Sequence, residues 1–231
     1  MTLISIAGIA PSIGKTAVSE LLLAWLPGWH VARVCVEEVA ADEAARLGDC
    51  GYALLDEAEA ADRGEMRRLV VAGGRTPSVL LAEPRGLEEG LRAMLRALPP
   101  GANLLVEGNA FLWARRADLA IMVVGPGASG RGLARVRPSA REVFPRIGLW
   151  VWNTRARPAD EGFFEFPQAL VRMGFLGAVS NRADFHHVNP AVQSHGGNAP
   201  FLEAVRDRLA AAARQGRDPL PGGNLDRPGG P

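Results

Sequence analysis

The chain has 231 residues, 48% of them hydrophobic and 22% charged, which is enough apolar surface for one buried core and excludes a disordered chain. A formal net charge of +1, from 26 basic and 25 acidic residues, excludes the broad basic face that nucleic acid or an anionic membrane requires. All but one of the basic residues are arginine, and the exception is Lys15; lysine and arginine part company where a compact ammonium must enter a space too tight for a planar fork.

In chain order, residues 3–8 (Leu-Ile-Ser-Ile-Ala-Gly) predict a short buried strand. Residues 11–14 interrupt it, and 16–25 predict a helix with Ala17, Leu21, Leu22 and Trp25 on one face. A second strand is expected at 31–36. Between 40 and 71 the composition turns to Ala, Glu, Asp and Arg, which favours helix, with breaks at Gly48 and Gly51. Residues 78–81 predict a strand, and 87–98 a helix with Leu87, Leu91, Met94, Leu95 and Leu98 inward. Further strands are expected at 103–106, 119–124, 149–152 and 175–179, a short helix at 138–144 and a longer one at 201–214. Continuous apolar strands spaced by helices predict an α/β fold, doubly wound, with a mainly parallel sheet and helices on both faces. One domain over 1–214 is expected, followed at 215–231 by a Gly/Pro-rich tail without periodicity that reads as mobile.

Cys35 and Cys50 are too few for a disulfide framework, and neither belongs to a Cys-x-x-Cys pair. Met1 leads directly into a strand-like run without a charged-then-apolar segment. No stretch approaches the ~18 continuous apolar residues of a membrane span. A cytoplasmic location follows as the expectation, with neither membrane nor nucleic acid as partner.

The strand closed by Gly8 runs into Ile9-Ala10-Pro11-Ser12-Ile13-Gly14-Lys15-Thr16, and a helix opens there. Backbone N–H groups of Ser12, Ile13, Gly14, Lys15, Thr16 and Ala17 would converge on an anion, with the helix dipole favouring negative charge. Gly14 lets the backbone approach a phosphate, Lys15 reaches the β- and γ-phosphates, and the Thr16 hydroxyl ligates Mg²⁺. One position departs from the usual spacing: the first glycine is expected at residue 9, which is Ile9, while Gly8 lies one residue early. The plain alternative is an ordinary left-handed turn that happens to carry Gly-Lys-Thr.

Acids at the C-terminal ends of parallel strands lie at the rim where open α/β sheets bind ligands. Glu107, after the strand at 103–106, is the candidate metal ligand and, with Lys15, a candidate catalytic residue; the alternative is a strand-end ion pair. Gly108 would let a loop come close to a γ-phosphate. Glu37 and Glu38 end the second strand in the same way, and a metal-facing acid and a solvated strand end are equally open there. Asn153, after the strand at 149–152, stands where a base would be read, but Ala156 cannot accept hydrogen bonds from a guanine edge, so ATP and GTP both stay open as ligands.

Loops of this type resemble those of P-loop NTPases. Val106-Glu107-Gly108-Asn109 downstream of the Gly-Lys-Thr loop resembles the branch that assists metal and cofactor assembly, and within it the molybdopterin-guanine dinucleotide biosynthesis adaptor family. The similarity spans roughly residues 2 to 155, and its specific parts are the phosphate loop and Glu-Gly. Asp62, Arg67 or Arg68, and Ala72-Gly73-Gly74 fall in the order seen in that family; residues 118–124 and 137–140 also look related. The resemblance implies that Asp62 and Arg67 face a nucleotide or pterin-type ligand, with a cofactor-biosynthesis protein as partner. An exposed ion-paired helix is the competing reading. The Glu-Gly strand end is also shared with dethiobiotin synthetase-like proteins, where an Asn such as Asn153 would contact adenine. Ala10 stands where some dimeric ATPases of this class carry a lysine acting across the dimer, so no such lysine is expected, and a homodimer stays open.

His186, His187 and His195 lie close in sequence without metal-ligand spacing and read as a polar loop. Arg131, Arg135 and Arg137 would supply charge to a phosphoryl group or form a solvated face, the latter being preferred. Trp25, Trp29, Trp113, Trp150 and Trp152 read as core or rim packing. Three functions fit: a weakly hydrolytic Mg²⁺-dependent nucleotide-binding protein in cofactor assembly, an ATP-dependent small-molecule kinase or ligase, and a binding module that keeps the loop without hydrolysis.

Overall fold

The apolar run at 3–8 becomes strand β1 (Leu3–Gly8), buried at every residue. The computed structural model describes residues 1–36, 45–126, 134–154, 162–172 and 184–214. Its strands are β1, β2 (His30–Cys35), β3 (Tyr52–Leu55), β4 (Arg75–Ala82), β5 (Leu104–Glu107), β6 (Leu119–Val124), β7 (Leu149–Asn153) and β8 (Phe185–Val188). They form one sheet in the order β3-β4-β2-β5-β1-β6-β7-β8. Every pairing is parallel except β3 with β4. The chain winds outward from β1 through β2 to the edge strand β3, returns through β4 and β5, and then builds the other half through β6, β7 and β8. This is the expected doubly wound α/β fold, and its switch point lies beside β1, where such sheets open a crevice.

The helices are α1 (Lys15–Trp25), α2 (Glu57–Asp62), α3 (Gly64–Val71), α4 (Leu87–Arg96), α5 (Asn109–Ala114), α6 (Pro138–Val143), α7 (Gly162–Arg172) and α8 (Asn198–Arg214). One layer joins α1 to α3 and α3 to α2; the other joins α4 to α5 and α5 to α6. Arg68 of α3 reaches both carboxylate oxygens of Glu20 on α1, at 2.7 and 2.6 Å, which fixes the first layer across the sheet face. The outer strands are held by an aromatic group: Trp150 meets Phe144 edge-on at 5.0 Å, Phe166 at 5.4 Å and Phe185 in a stack at 5.9 Å.

Several expectations need correction. Within 40–71 the helix expectation holds at 57–62 and 64–71, but residues 45–56 are not helical: β3 follows Gly51, and Asp56 then starts α2 through a capping box with Glu59. A capping box satisfies two orphan helix donors at once, so that sequence signal outweighs the helical composition before it. The inner face of α1 is Val18, Ser19, Leu22 and Leu23, while Trp25 is 37% exposed, because the loop rotates the helix to put Ser19 towards the sheet. Strand β4 is longer than expected. Helices α5 and α7 and strand β8 were not foreseen. The strand expected at 175–179, the start of the 40–71 stretch and the tail at 215–231 lie outside the described residues.

Candidate active site

Loop geometry follows from three close approaches. Ile9 is fully buried, donates from its backbone N to the Val123 carbonyl at 3.1 Å and accepts from the Arg137 N–H at 2.9 Å. It directly follows β1, and both of its backbone groups are bonded to other segments. Gly8 explains the displaced glycine: a Cβ there would lie 2.8 Å from Ile13 Cγ2 and 3.1 Å from Lys15 Cγ and Cδ. The lysine stem therefore crosses the backbone where a side chain is missing. Ser12 and Gly14 both take positive φ, 49° and 96°, and such alternation turns successive N–H groups inward to form an anion-binding concavity. Gly14 is also the N-cap of α1, and no side chain caps that helix, so its first N–H donors are left for another acceptor.

Asn153 braces the loop from the other half of the sheet. Its Nδ2 donates to the Ile13 carbonyl at 3.2 Å, and a Cβ on Gly14 would stand 2.0 Å from that nitrogen. The residue expected to read a base thus touches the phosphate loop itself.

Glu107 closes β5 and is wholly buried. Ser19 donates to its Oε1 at 2.6 Å and Thr16 to its Oε2 at 3.2 Å. Burial pushes its carboxyl above the ordinary range, and the Ser19 bond, the Lys15 and Arg33 charges and the Thr16 bond pull it back. The next two residues explain the Glu-Gly-Asn sequence. Gly108 has φ 125°, and a Cβ there would lie 2.4 Å from the Val34 carbonyl oxygen of β2. Asn109 accepts from the Gly8 N–H at 2.9 Å and donates to the Gly8 carbonyl at 3.1 Å, locking β1 to the start of α5.

Lys15 and Glu107 face one cleft, whose other walls include Arg33, Cys35, Trp113 and Arg137. Reasoning from sequence missed Ser19, Arg33 and Asn109. Ser19 is one helical turn beyond Lys15 and Thr16, Arg33 is a charge inside an apolar strand, and Asn109 directly follows Glu-Gly; each carried a local signal. Arg33 sits in register with Glu107 across the β2–β5 pair and meets Glu65 of α3 at 3.4 Å.

Asp62 and Arg67 do not reach the cleft. They pair with each other at 3.1 Å on the surface, with side chains 86% and 64% exposed. Residues five apart make this pair because Arg63 takes an extended conformation between α2 and α3. His186 and His187 lie on β8 rather than in a loop and point to opposite sides, since side chains alternate along a strand. His186 contacts Phe201, and His187 contacts His195. Among the described residues no three metal-ligating side chains of His, Cys, Asp or Glu type come together. Glu37, Glu38 and Arg131 lie outside the described residues, and Arg135 lines a neighbouring hollow.

The strand order, the Gly-Lys-Thr loop joining β1 to α1 and the acid ending β5 define the P-loop NTPase fold. No family model and no curated protein matches the chain. Solved structures that resemble it include a plasmid partition protein from Borrelia burgdorferi bound to AMPPNP, 9% identical over 93% of this chain and 98% of its own, TM-score 0.38. A plasmid partition protein from the same organism is 11% identical over 90% of this chain and 99% of its own, TM-score 0.44. The MinC:MinD cell division protein complex of Aquifex aeolicus gives 15% identity over 99% of this chain and 100% of the matched chain, TM-score 0.39. The fold assignment stands on this chain's own strand order and loop. No helix among the described residues is long and apolar enough to cross a membrane.

Proposed function

We propose that the chain binds and slowly hydrolyses a Mg²⁺-nucleoside triphosphate, ATP or GTP, at the β1–α1 loop. The observation that carries this is the meeting of the Thr16 hydroxyl with the buried Glu107 carboxylate beside Lys15. In this reading the loop N–H groups from Ser12 to Ala17 and the Lys15 ammonium bind the phosphates, and Asn153 holds the loop in shape. Thr16 and Glu107 would hold Mg²⁺: a hydroxyl and a carboxylate are the hard oxygen donors that ion takes, and one or two such side chains suffice where phosphates and water complete the shell. The ion would neutralise charge developing on the transferred phosphoryl group.

The finer part of the proposal is service to cofactor biosynthesis or assembly of the molybdopterin-guanine dinucleotide type, with a pterin-type or other small ligand and a partner protein. Its support is the Val106-Glu107-Gly108-Asn109 resemblance, in which Glu107 meets Thr16 of the loop and Asn109 bonds Gly8 at the end of the strand that feeds it. A second reading, an ATP-dependent kinase or ligase resembling dethiobiotin synthetase, is favoured by the cleft that continues beyond the loop to Arg33 and Trp113. Release of inorganic phosphate without a modified acceptor counts against it.

Calorimetry with ATP and GTP, with and without Mg²⁺, tests the central claim. Binding should require Mg²⁺ for full strength, and Lys15→Ala should weaken it at least about tenfold while the fold is kept. Lys15→Arg preserves the charge but replaces a compact ammonium by a fork, and should weaken binding by a similar factor. If neither nucleotide binds, or both variants match the wild type, the proposal fails.

A further inference from the structure

We infer that Ser19 is a positioning residue for the metal site: its hydroxyl anchors one oxygen of the Glu107 carboxylate and leaves the other turned to Thr16, without Ser19 reaching the ligand itself. The inference rests on the nucleotide reading above and deepens it.

Ser19 is the polar member of an otherwise apolar buried face of α1, with Val18, Leu22 and Leu23 beside it. Serine is a poorer helix former than alanine because its hydroxyl competes for backbone groups, and a buried hydroxyl must be hydrogen-bonded. Packing alone therefore asks for an apolar residue at 19. The Ser19 hydroxyl lies 3.1 Å from the Lys15 carbonyl and 2.6 Å from Glu107 Oε1. A hydroxyl has one proton to give, so it serves one of the two. The contact to Glu107 has the length of a hydroxyl on a carboxylate oxygen, about 2.5–2.7 Å, and takes the proton.

The two oxygens of Glu107 are held unequally. Thr16 meets Oε2 at 3.2 Å, beyond the usual O–H···O range of about 2.5–3.0 Å. Oε1 is anchored, whereas Oε2 is only approached. Thr16 and Ser19 are three residues apart on α1 and so share a face, which lets one helix address both oxygens. The Glu107 backbone is fixed as well, in register with Ile6 of β1 and Arg33 of β2. Only side-chain torsions remain, and the Ser19 bond sets them. Ser19 is itself wholly buried, and the cleft is walled by Lys15 and Glu107 but not by Ser19. It acts through Glu107. Partners of this kind, one bond behind a metal ligand, orient that ligand and sustain its affinity for the ion.

The test is calorimetric titration of AMPPNP into the full chain at stepped Mg²⁺ concentrations. Ser19→Ala should raise the Mg²⁺ concentration needed for half of the tightening at least about tenfold. AMPPNP affinity without Mg²⁺ should stay within about twofold, since the loop is independent of this bond. Ser19→Thr keeps the donor and should hold the Mg²⁺ requirement within about threefold of the wild type. In a Glu107→Gln background, Ser19→Ala should change nothing further, because two residues acting as one unit are not additive. If Ser19→Ala does not fold, Ser19→Cys, a weak donor of similar size, takes its place. An unchanged Mg²⁺ requirement, or a loss of affinity that is equal with and without Mg²⁺, overturns the inference and leaves the nucleotide reading intact. A folded Ser19→Thr that behaves like Ser19→Ala, or a further loss on top of Glu107→Gln, does the same. Failure of AMPPNP to bind the wild type overturns that reading and this one with it.

Discussion

Lys15 and Glu107 show how much a single residue depends on what surrounds it. The lone lysine owes its place to an absence, because its stem crosses the bare backbone of Gly8. Glu107 is the costlier residue. A carboxylate removed from water is disfavoured unless neighbouring donors and charges compensate, and here burial outweighs Ser19, Lys15, Arg33 and Thr16, raising the carboxyl above its ordinary range. In the metal-free, nucleotide-free chain the folded state therefore binds this proton more tightly than the unfolded state does. The stability it contributes is fully present below the ordinary carboxylate range and is lost as pH rises through the folded value. Glu107→Gln stays neutral and should remove that loss. Urea melts at about pH 5 and about pH 8 should accordingly differ less for the variant than for the wild type. The same variant should lose the Mg²⁺ dependence of nucleotide binding. Equal pH slopes for both proteins would show that Glu107 is not held as described.

Elements meet at the site through backbone contacts that side-chain periodicity does not report. Strand β5 ends against β2 so closely that only a glycine fits at 108, and Asn109 then completes the hydrogen bonding of Gly8. Gly108→Ala places a methyl group 2.4 Å from the Val34 carbonyl oxygen and holds φ at 125°. Overpacking of about 1–3 kcal/mol and positive-φ strain of about 1–3 kcal/mol both apply. Chemical denaturation should show the loss, and nucleotide affinity should fall as well, because the displaced segment carries Glu107. A variant as stable and as tight as the wild type would refute the close approach.

The sequence made β1, α1, β6 and the phosphate loop legible because each is an unbroken apolar run or a fixed motif. It hid β3, whose four residues sit beside helix-favouring composition and pair antiparallel at the edge. It also hid β8, where Phe-His-His-Val reads as polar although both histidines pack on rings. The site divides likewise. Lys15, Thr16 and Glu107 follow from motif chemistry, whereas the local signals at Arg33 and Asn109 acquire meaning only once the chain places them beside Glu107 and Gly8.

At the scale of the whole molecule, the loop draws on both halves of the sheet, and β7 is the link to the second. Asn153 at its end bonds the loop, while Trp150 in the same strand anchors Phe144, Phe166 and Phe185. The two are three residues apart, roughly 10 Å along a strand. Stability and ligand geometry should therefore be separable at Trp150. Trp150→Ala removes a fully buried side chain and should destabilise the chain by about 3–5 kcal/mol. Ligand that binds only the folded state adds about 2.7 kcal/mol at a hundred times its Kd, so Mg²⁺-nucleotide at that concentration should recover most of the lost thermal midpoint. Affinity measured on the folded fraction should stay within about twofold of the wild type, since the cluster touches neither loop nor cleft. If affinity instead falls in step with stability, the aromatic group sets the position of Asn153, and the two halves of the sheet act on the phosphate loop as one body.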